Sequence, residues 1–161
     1  MRNEFGRVIV ELAEKEERIF VLIGDYESGL NSFKKKFPNR LINLGTCEQS
    51  LVAVAAGMAI EGFIPIVYSI TPFILERPFE QLKITVNQKN IPVVFVGYDD
   101  YPNLGITHIA LNPKTMMELL TNFNAYYPKK SQELTDIFTE AIHTTTPSFI
   151  FLKREPSLNR E

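Results

Sequence analysis

Apolar and polar positions alternate along this chain in two periods, and the switch between them sets the order of elements. From Asn3 to Lys15 the apolar residues Phe5, Val8, Ile9 and Leu12 recur at helical spacing, whereas Arg18 to Gly24 is a short apolar run closed by glycine, the form of a buried strand. The same alternation continues. Ser28 to Phe37 predicts a helix stopped at Pro38, Arg40 to Leu44 a strand, Thr46 to Ile60 a helix and Gly62 to Tyr68 a third strand. Pro72 to Asn87 predicts one long helix with Phe79, Leu82 and Val86 on one side, and Ile91 to Gly97 a nearly continuous apolar strand. Helix, strand, helix and strand follow over Lys114–Thr121, Asn124–Tyr127, Gln132–Thr144 and Ser148–Leu152. Strands without polar alternation are buried on both faces. Repeated strand-helix units joined by short loops therefore predict an α/β fold, a three-layer α/β/α sandwich with a mainly parallel sheet, as one domain over residues 1–161.

One helix stands out. Between Leu51 and Ile60 no residue carries charge, and Ala53, Ala55, Ala56, Gly57 and Ala59 are small enough for another backbone to approach closely. A helix apolar all round is a buried helix. Its start carries one carboxylate, Glu48. Thr46 and Gln49 have capping-box spacing, which makes Thr46 the expected N-cap and offers Glu48 a plain role beside the positive end of the helix dipole. The other reading is chemical: at the edge of a buried surface desolvation disfavours charge and suits a carboxyl to holding or passing a proton.

Composition narrows the classes. At 161 residues with 45% apolar content the chain can build an ordinary core, and a net charge of −2 gives no broad basic surface for nucleic acid. Lys34 to Lys36 reads as a solvated helix face. No apolar run reaches the length of about 20 residues that spans a bilayer, and the first residues lack the apolar core of a secretory leader, so a cytoplasmic protein is expected. A lone cysteine forms no internal disulfide, and Cys47 with His108 and His143 does not make a structural zinc site. Gly24-Asp-Tyr-Glu-Ser-Gly29 lacks the lysine of a P-loop, and G-x-G-x-x-G is absent. Polar clusters follow four predicted strands, at Gly24-Asp25, Gly45 to Gln49, Tyr68 to Arg77 and Tyr98 to His108. In an open parallel sheet these meet at the rim where ligands bind.

The ordered set Gly24-Asp25, Phe37-Pro-x-Arg40, Asn43-x-Gly45-x-x-Glu-Gln49, Ala55-Ala-Gly-Met-Ala59, Glu61-Gly-x-x-Pro65, Tyr68-Ser-Ile-x-x-Phe73-x-x-x-Arg77, Glu80-Gln81 and Gly105-x-Thr-His108 resembles the pyrimidine-binding domain of the transketolase family, shared with 1-deoxyxylulose-5-phosphate synthases. The resemblance runs from about Arg2 to Arg154. It implies thiamine diphosphate as cofactor and gives Glu48 the family glutamate's task, a hydrogen bond to N1′ of the aminopyrimidine that promotes deprotonation at the thiazolium C2. Phe73 becomes the aromatic wall against that ring, with an ordinary core phenylalanine as the alternative. Arg77, four residues on, shares its expected helix face and structures the pocket or meets an anionic substrate, or else pairs with Glu76 or Glu80. His108 matches the histidine that faces substrate and moves a proton, with a surface loop histidine as the alternative. Asp25 is placed with the cofactor-side residues at a subunit contact, or caps its turn. Cys47 reads as a small buried residue and His143 as a dipole partner at a helix end.

The resemblance also defines what is missing. The family holds the diphosphate through Mg2+ or Ca2+ with a Gly-Asp-Gly motif and a later asparagine on another domain, and neither that motif nor a metal site is expected here. The family's following domain is not expected either, since the sequence ends at Glu161. The chain thus reads as the pyrimidine-binding subunit of a split enzyme that transfers a two-carbon ketol unit between sugars. Its partner would be a diphosphate-binding subunit, two copies of each, with the small-residue helix as contact surface and with neither nucleic acid nor membrane as a partner. Gly97 to Leu104 replaces the family's acidic position with Leu104, which leaves an unusual sugar or a 2-oxoacid as substrate. A thiamine-dependent decarboxylase or acyloin synthase subunit, and a non-catalytic regulatory module, are the alternatives.

Overall fold

A computed structural model describes residues 1–99 and 105–153. The elements in chain order are α1 (Arg2–Lys15), β1 (Ile19–Ile23), α2 (Asn31–Lys36), β2 (Leu41–Asn43), α3 (Glu48–Ile60), β3 (Ile64–Ile70), α4 (Thr71–Leu75), α5 (Phe79–Gln81), β4 (Val94–Tyr98), α6 (Pro113–Met117), β5 (Asn124–Tyr126), α7 (Leu134–His143) and β6 (Ser148–Leu152). The six strands form one sheet in the order β2-β1-β3-β4-β6-β5, with every pairing parallel.

Successive strand residues point to opposite faces, and this period of two divides the core. Val21, Ile23, Ile66, Tyr68, Val94 and Val96 pack with Phe5, Val8 and Ile9 of α1, Phe33 of α2 and Phe138 of α7. Leu22, Val67, Phe95 and Phe149 pack on the other face with Leu51, Val52, Ala55 and Ala56 of α3, Ile74 and Leu75 of α4, and Met117 of α6. Helices therefore cover both faces, as the apolar strands require. Lys34, Lys35 and Lys36 are exposed on α2, with Lys34 paired to Glu27 and Lys36 to Glu14, a solvated face. Among the described residues no helix is long and apolar enough to cross a membrane.

Several elements differ from the sequence pattern: α2 begins at Asn31 and not at Ser28, β4 at Val94 and not at Ile91, and α6 ends at Met117 and not at Thr121, while two further differences have a plain local cause. The long helix expected over Pro72–Asn87 is broken: α4 ends at Leu75, and α5 begins at Phe79 and runs into a π-helical turn over Leu82–Asn87. Pro78 lies at the break, because proline has no N–H to donate and its ring crowds the carbonyl four residues earlier. The third strand starts later than expected, at Ile64. Gly62 belongs to the helix end instead: at φ +89° its N–H donates to the Ala59 carbonyl while that of Phe63 donates to Met58, the paired bonds of a Schellman turn. The strand then reaches Ile70 and delivers Thr71 to the rim.

The small-residue helix is half buried. Leu51, Val52, Ala55 and Ala56 lie in the core, but Ala53, Val54, Gly57 and Ile60 are exposed on this chain.

Candidate active site

Because all strands run the same way, the segments that follow them gather on one edge of the sheet. The chain leaves β1 towards one side of the sheet and later builds β3 and β4 on the other, so the direction reverses between β1 and β3. Such a reversal splays the connecting loops and opens a crevice. Its walls are Gly24-Asp25 after β1, Leu44 to Glu48 after β2, and Thr71 to Arg77 after β3.

Asn43 ties the first two walls together. Its Oδ1 accepts from the Asp25 N–H at 3.2 Å and from the Gly45 N–H at 2.9 Å. A Cβ on Gly24 would stand 3.0 Å from the Gly45 carbonyl oxygen, so glycine permits this close approach. The clamp sets where α3 begins and hence where Glu48 points.

Glu48 is 3% exposed, at the first turn of α3. Its Oε1 accepts from Arg77 Nη1 at 2.8 Å, across 29 residues of sequence. The Arg77 guanidinium carbon also lies 3.5 Å from the centre of the Phe73 ring, a stacked cation-π contact. Gln49 Nε2 donates to the Arg77 carbonyl at 3.3 Å and holds that backbone against α3. Phe73 meets His108 edge-on, with centroids 5.0 Å apart and planes at 65°. His108 ends a 3-10 turn over Ile106–His108, its Nδ1 3.1 Å from Thr107 Oγ1. Glu48, Arg77, Phe73 and His108 thus form one contiguous run of contacts, drawn from α3, α4, the turn that follows α4 and the 3-10 turn. It offers a buried carboxylate, an aromatic face, a planar cation and an imidazole, which together can hold a flat nitrogen heterocycle and move a proton beside it.

Several expectations change. Thr46 is not the cap: Cys47 occupies that position without a side-chain cap bond, and Gln49 is drawn away to Arg77. Cys47, expected as a buried residue, is only half-buried, and its thiol donates to the Leu44 carbonyl at 2.8 Å. Arg77 pairs with neither Glu76 nor Glu80. Glu76 instead accepts from the Leu111 N–H at 2.7 Å, and Arg77, just past the end of α4, keeps the expected place beside Phe73 and from there reaches Glu48. Asp25 is exposed at φ +71° and bonded to Asn43, on the same rim but outside the Glu48 run. Leu104 and the loop residues 100–104 lie outside the described residues.

Other positions emerge only in three dimensions. Thr71, fully buried, donates its hydroxyl to Asp99 across the ends of β3 and β4. Gly97 makes room for it, since a Cβ there would sit 2.7 Å from Thr71 Oγ1. Below the rim Tyr68 donates to the Ser28 carbonyl at 2.9 Å, and burial pushes its phenol well above the usual tyrosine range. A hydrogen bond with Tyr26 raises the Arg2 guanidinium above its ordinary value. Of these groups Tyr68 was part of a cluster visible in the sequence, whereas the pairing of Thr71 with Asp99 joins two strand ends that local pattern does not connect.

The family model of the transketolase pyrimidine-binding domain matches residues 1–157. Among curated proteins the chain is 29% identical to 6-deoxy-6-sulfo-D-fructose transketolase subunit SqwH of Clostridium sp. (strain MSTE9), over 98% of this chain and 51% of that protein. It is 34% identical to 1-deoxy-D-xylulose-5-phosphate synthase of Aquifex aeolicus (strain VF5), over 89% of this chain and 23% of that one. A solved split-gene transketolase, described as an inactive β4 tetramer, superposes with a TM-score of 0.85 at 27% identity, covering 98% of this chain and 53% of the other. The chain therefore spans about half the length of the subunits it matches and about a quarter of the synthase.

Proposed function

The chain belongs to the transketolase pyrimidine-binding domain family, and from that premise we propose that it is the pyrimidine-binding part of a split thiamine diphosphate-dependent transketolase that transfers a two-carbon ketol unit between sugar-type substrates. The observation that carries the proposal is the buried Glu48 carboxylate, joined through Arg77 to the Phe73 ring, at the edge where the sheet reverses direction. That donor set fits an aminopyrimidine, which needs an acceptor or shared proton at a ring nitrogen and an aromatic surface for its face. When bound, thiamine diphosphate supplies a nucleophilic carbon for attack on a carbonyl.

Each residue of the run then has a task. Glu48 holds the proton at the pyrimidine N1′, and its place at the start of α3 keeps water away from that proton. Phe73 presents the stacking face. His108, in edge contact with Phe73, stands on the outer side, where it moves a proton at the substrate carbonyl or hydroxyl. Asp25 belongs to the subunit contact at the rim. The diphosphate and its Mg2+ or Ca2+ fall to a partner subunit, and the exposed face of α3 is the proposed contact, in a complex with two copies of each chain.

Exchange of the cofactor's C2 proton in the reconstituted complex tests the assignment. Glu48→Gln keeps the shape but cannot pass a proton, so exchange followed by NMR slows by about 10²–10⁴ while the complex still assembles. Unchanged exchange returns Glu48 to a helix-end role and ends the proposal. Product analysis sets the chemistry: carbon dioxide released on turnover identifies a 2-oxoacid donor instead of a ketose.

A further inference from the structure

Phe73 and Glu48 face a single guanidinium. Arg77 lies 3.5 Å over the Phe73 ring centre and 2.8 Å from Glu48 Oε1, so one planar cation takes up both the aromatic face and the carboxylate. A ligand that stacks on Phe73 while bonding to Glu48 needs the same place. The guanidinium also resembles that ligand chemically: flat, delocalised, with N–H groups in its plane that donate to a carboxylate. Nothing rigid locks it there. The Arg77 side chain is 35% exposed, its backbone is held by Gln49, and α4 has already ended at Leu75, so the side chain can swing outward without unwinding a helix.

We propose that Arg77 is a built-in occupant of the aminopyrimidine site, which keeps the Glu48 carboxylate paired in the empty chain and is displaced when the cofactor's pyrimidine enters. This rests on the pyrimidine-binding reading above and adds its control: entry of the ring is an exchange of one flat nitrogen group for another, with Glu48 taking up a proton as the guanidinium leaves. The swing frees Arg77 at the mouth of the site, where its charge is available to an anionic substrate.

The test uses the full chain and thiamine itself, which carries the aminopyrimidine without the diphosphate. Thiamine is titrated into wild type, Arg77→Ala, Arg77→Lys, Phe73→Ala and Glu48→Gln and followed by NMR, together with the Arg77 Nε–H signal in 15N-labelled wild type. Arg77→Ala binds thiamine about tenfold more tightly, the gain that corresponds to about 1.4 kcal/mol. Arg77→Lys, which keeps charge but cannot stack as a plane, falls between the two, and Phe73→Ala loses binding. In wild type the Nε–H resonance, displaced by the Phe73 ring current, returns towards its free position as thiamine is added. Equal or weaker binding by Arg77→Ala, including no detectable binding by either protein, overturns the proposal. An Nε–H signal that stays put while thiamine binds does the same. Thiamine binding unaffected by Phe73→Ala and by Glu48→Gln sinks instead the pyrimidine-site reading on which it rests.

Discussion

Among the described residues Glu48 is the one acidic group that the fold buries, and Arg77 is what lets it stay there. A buried carboxylate left without its partner costs more than the pair contributes, because desolvation remains when the attraction is gone. Arg77→Ala therefore destabilises the chain by about 1–2 kcal/mol, less than for a fully buried pair because the arginine is partly in solvent. Adding Glu48→Gln to that variant restores part of the loss. Urea midpoints of the two single variants and the double variant give the coupling directly, and additive losses mean that the pair contributes nothing. That Glu48, Phe73 and His108 would gather in one candidate site was legible because each sits in a short motif beside a predicted strand end, and the structure brings them into one run of contacts. The partner of Arg77 was not. Spacing of four residues placed Arg77 beside Phe73, over whose ring it does lie, but carried no record of the carboxylate 29 residues away that takes its charge.

At the scale of elements, glycine marks the places where chain geometry is forced, and two of them differ in cause. Gly62 ends α3 with φ +89° and has nothing within 4 Å of a built Cβ, so Gly62→Ala is strained only in its backbone and costs about 1–2 kcal/mol. Gly97 in β4 has ordinary backbone angles but no room: a Cβ meets Thr71 Oγ1 at 2.7 Å and Phe149 Cε1 at 3.0 Å. Gly97→Ala pushes Thr71 from Asp99 and disturbs the start of α4, which bears Phe73. Thermal unfolding shows both losses, but thiamine affinity falls only for Gly97→Ala. Equal affinity in the two variants would separate the Thr71 contact from the site. The strand-helix alternation was readable from periodicity, and Ser148–Leu152 is a strand over those same residues. The helix between Pro72 and Asn87 misled because its apolar spacing survives the proline that breaks it. The shift of the third strand has the same origin: Gly62 reads as part of an apolar run until the turn bonds of Ala59 and Met58 claim it.

The whole molecule is a sheet with two cores, and Tyr68 shows how the rim is tied to one of them. Parallel strands and coverage on both faces followed from the runs of apolar residues, but the order β2-β1-β3-β4-β6-β5 did not, since local pattern carries no record of which way each crossover turns. That order puts Tyr68 of β3 beside Phe5 of α1 and Tyr26 after β1, its hydroxyl on the Ser28 carbonyl. Burial raises the phenol above its ordinary value of 10.0, so below about pH 10 the folded and unfolded chains both carry the proton. Above that the unfolded chain releases it first. The folded state then binds more protons than the unfolded one, and stability falls as pH rises, by about 1.4 kcal/mol per pH unit for this one group. Tyr126 and Tyr127 shift in the same direction by burial and add to the slope. Tyr68→Phe loses the bond to Ser28, about 1 kcal/mol at neutral pH, but removes its share of the alkaline loss. Urea unfolding at pH 8 and pH 11 therefore shows the variant less stable at the lower pH, with a smaller drop between the two. If wild type and variant decline in parallel, Tyr68 titrates freely in the folded chain, and the packing of α1 over the end of β3 is looser than the core contacts require.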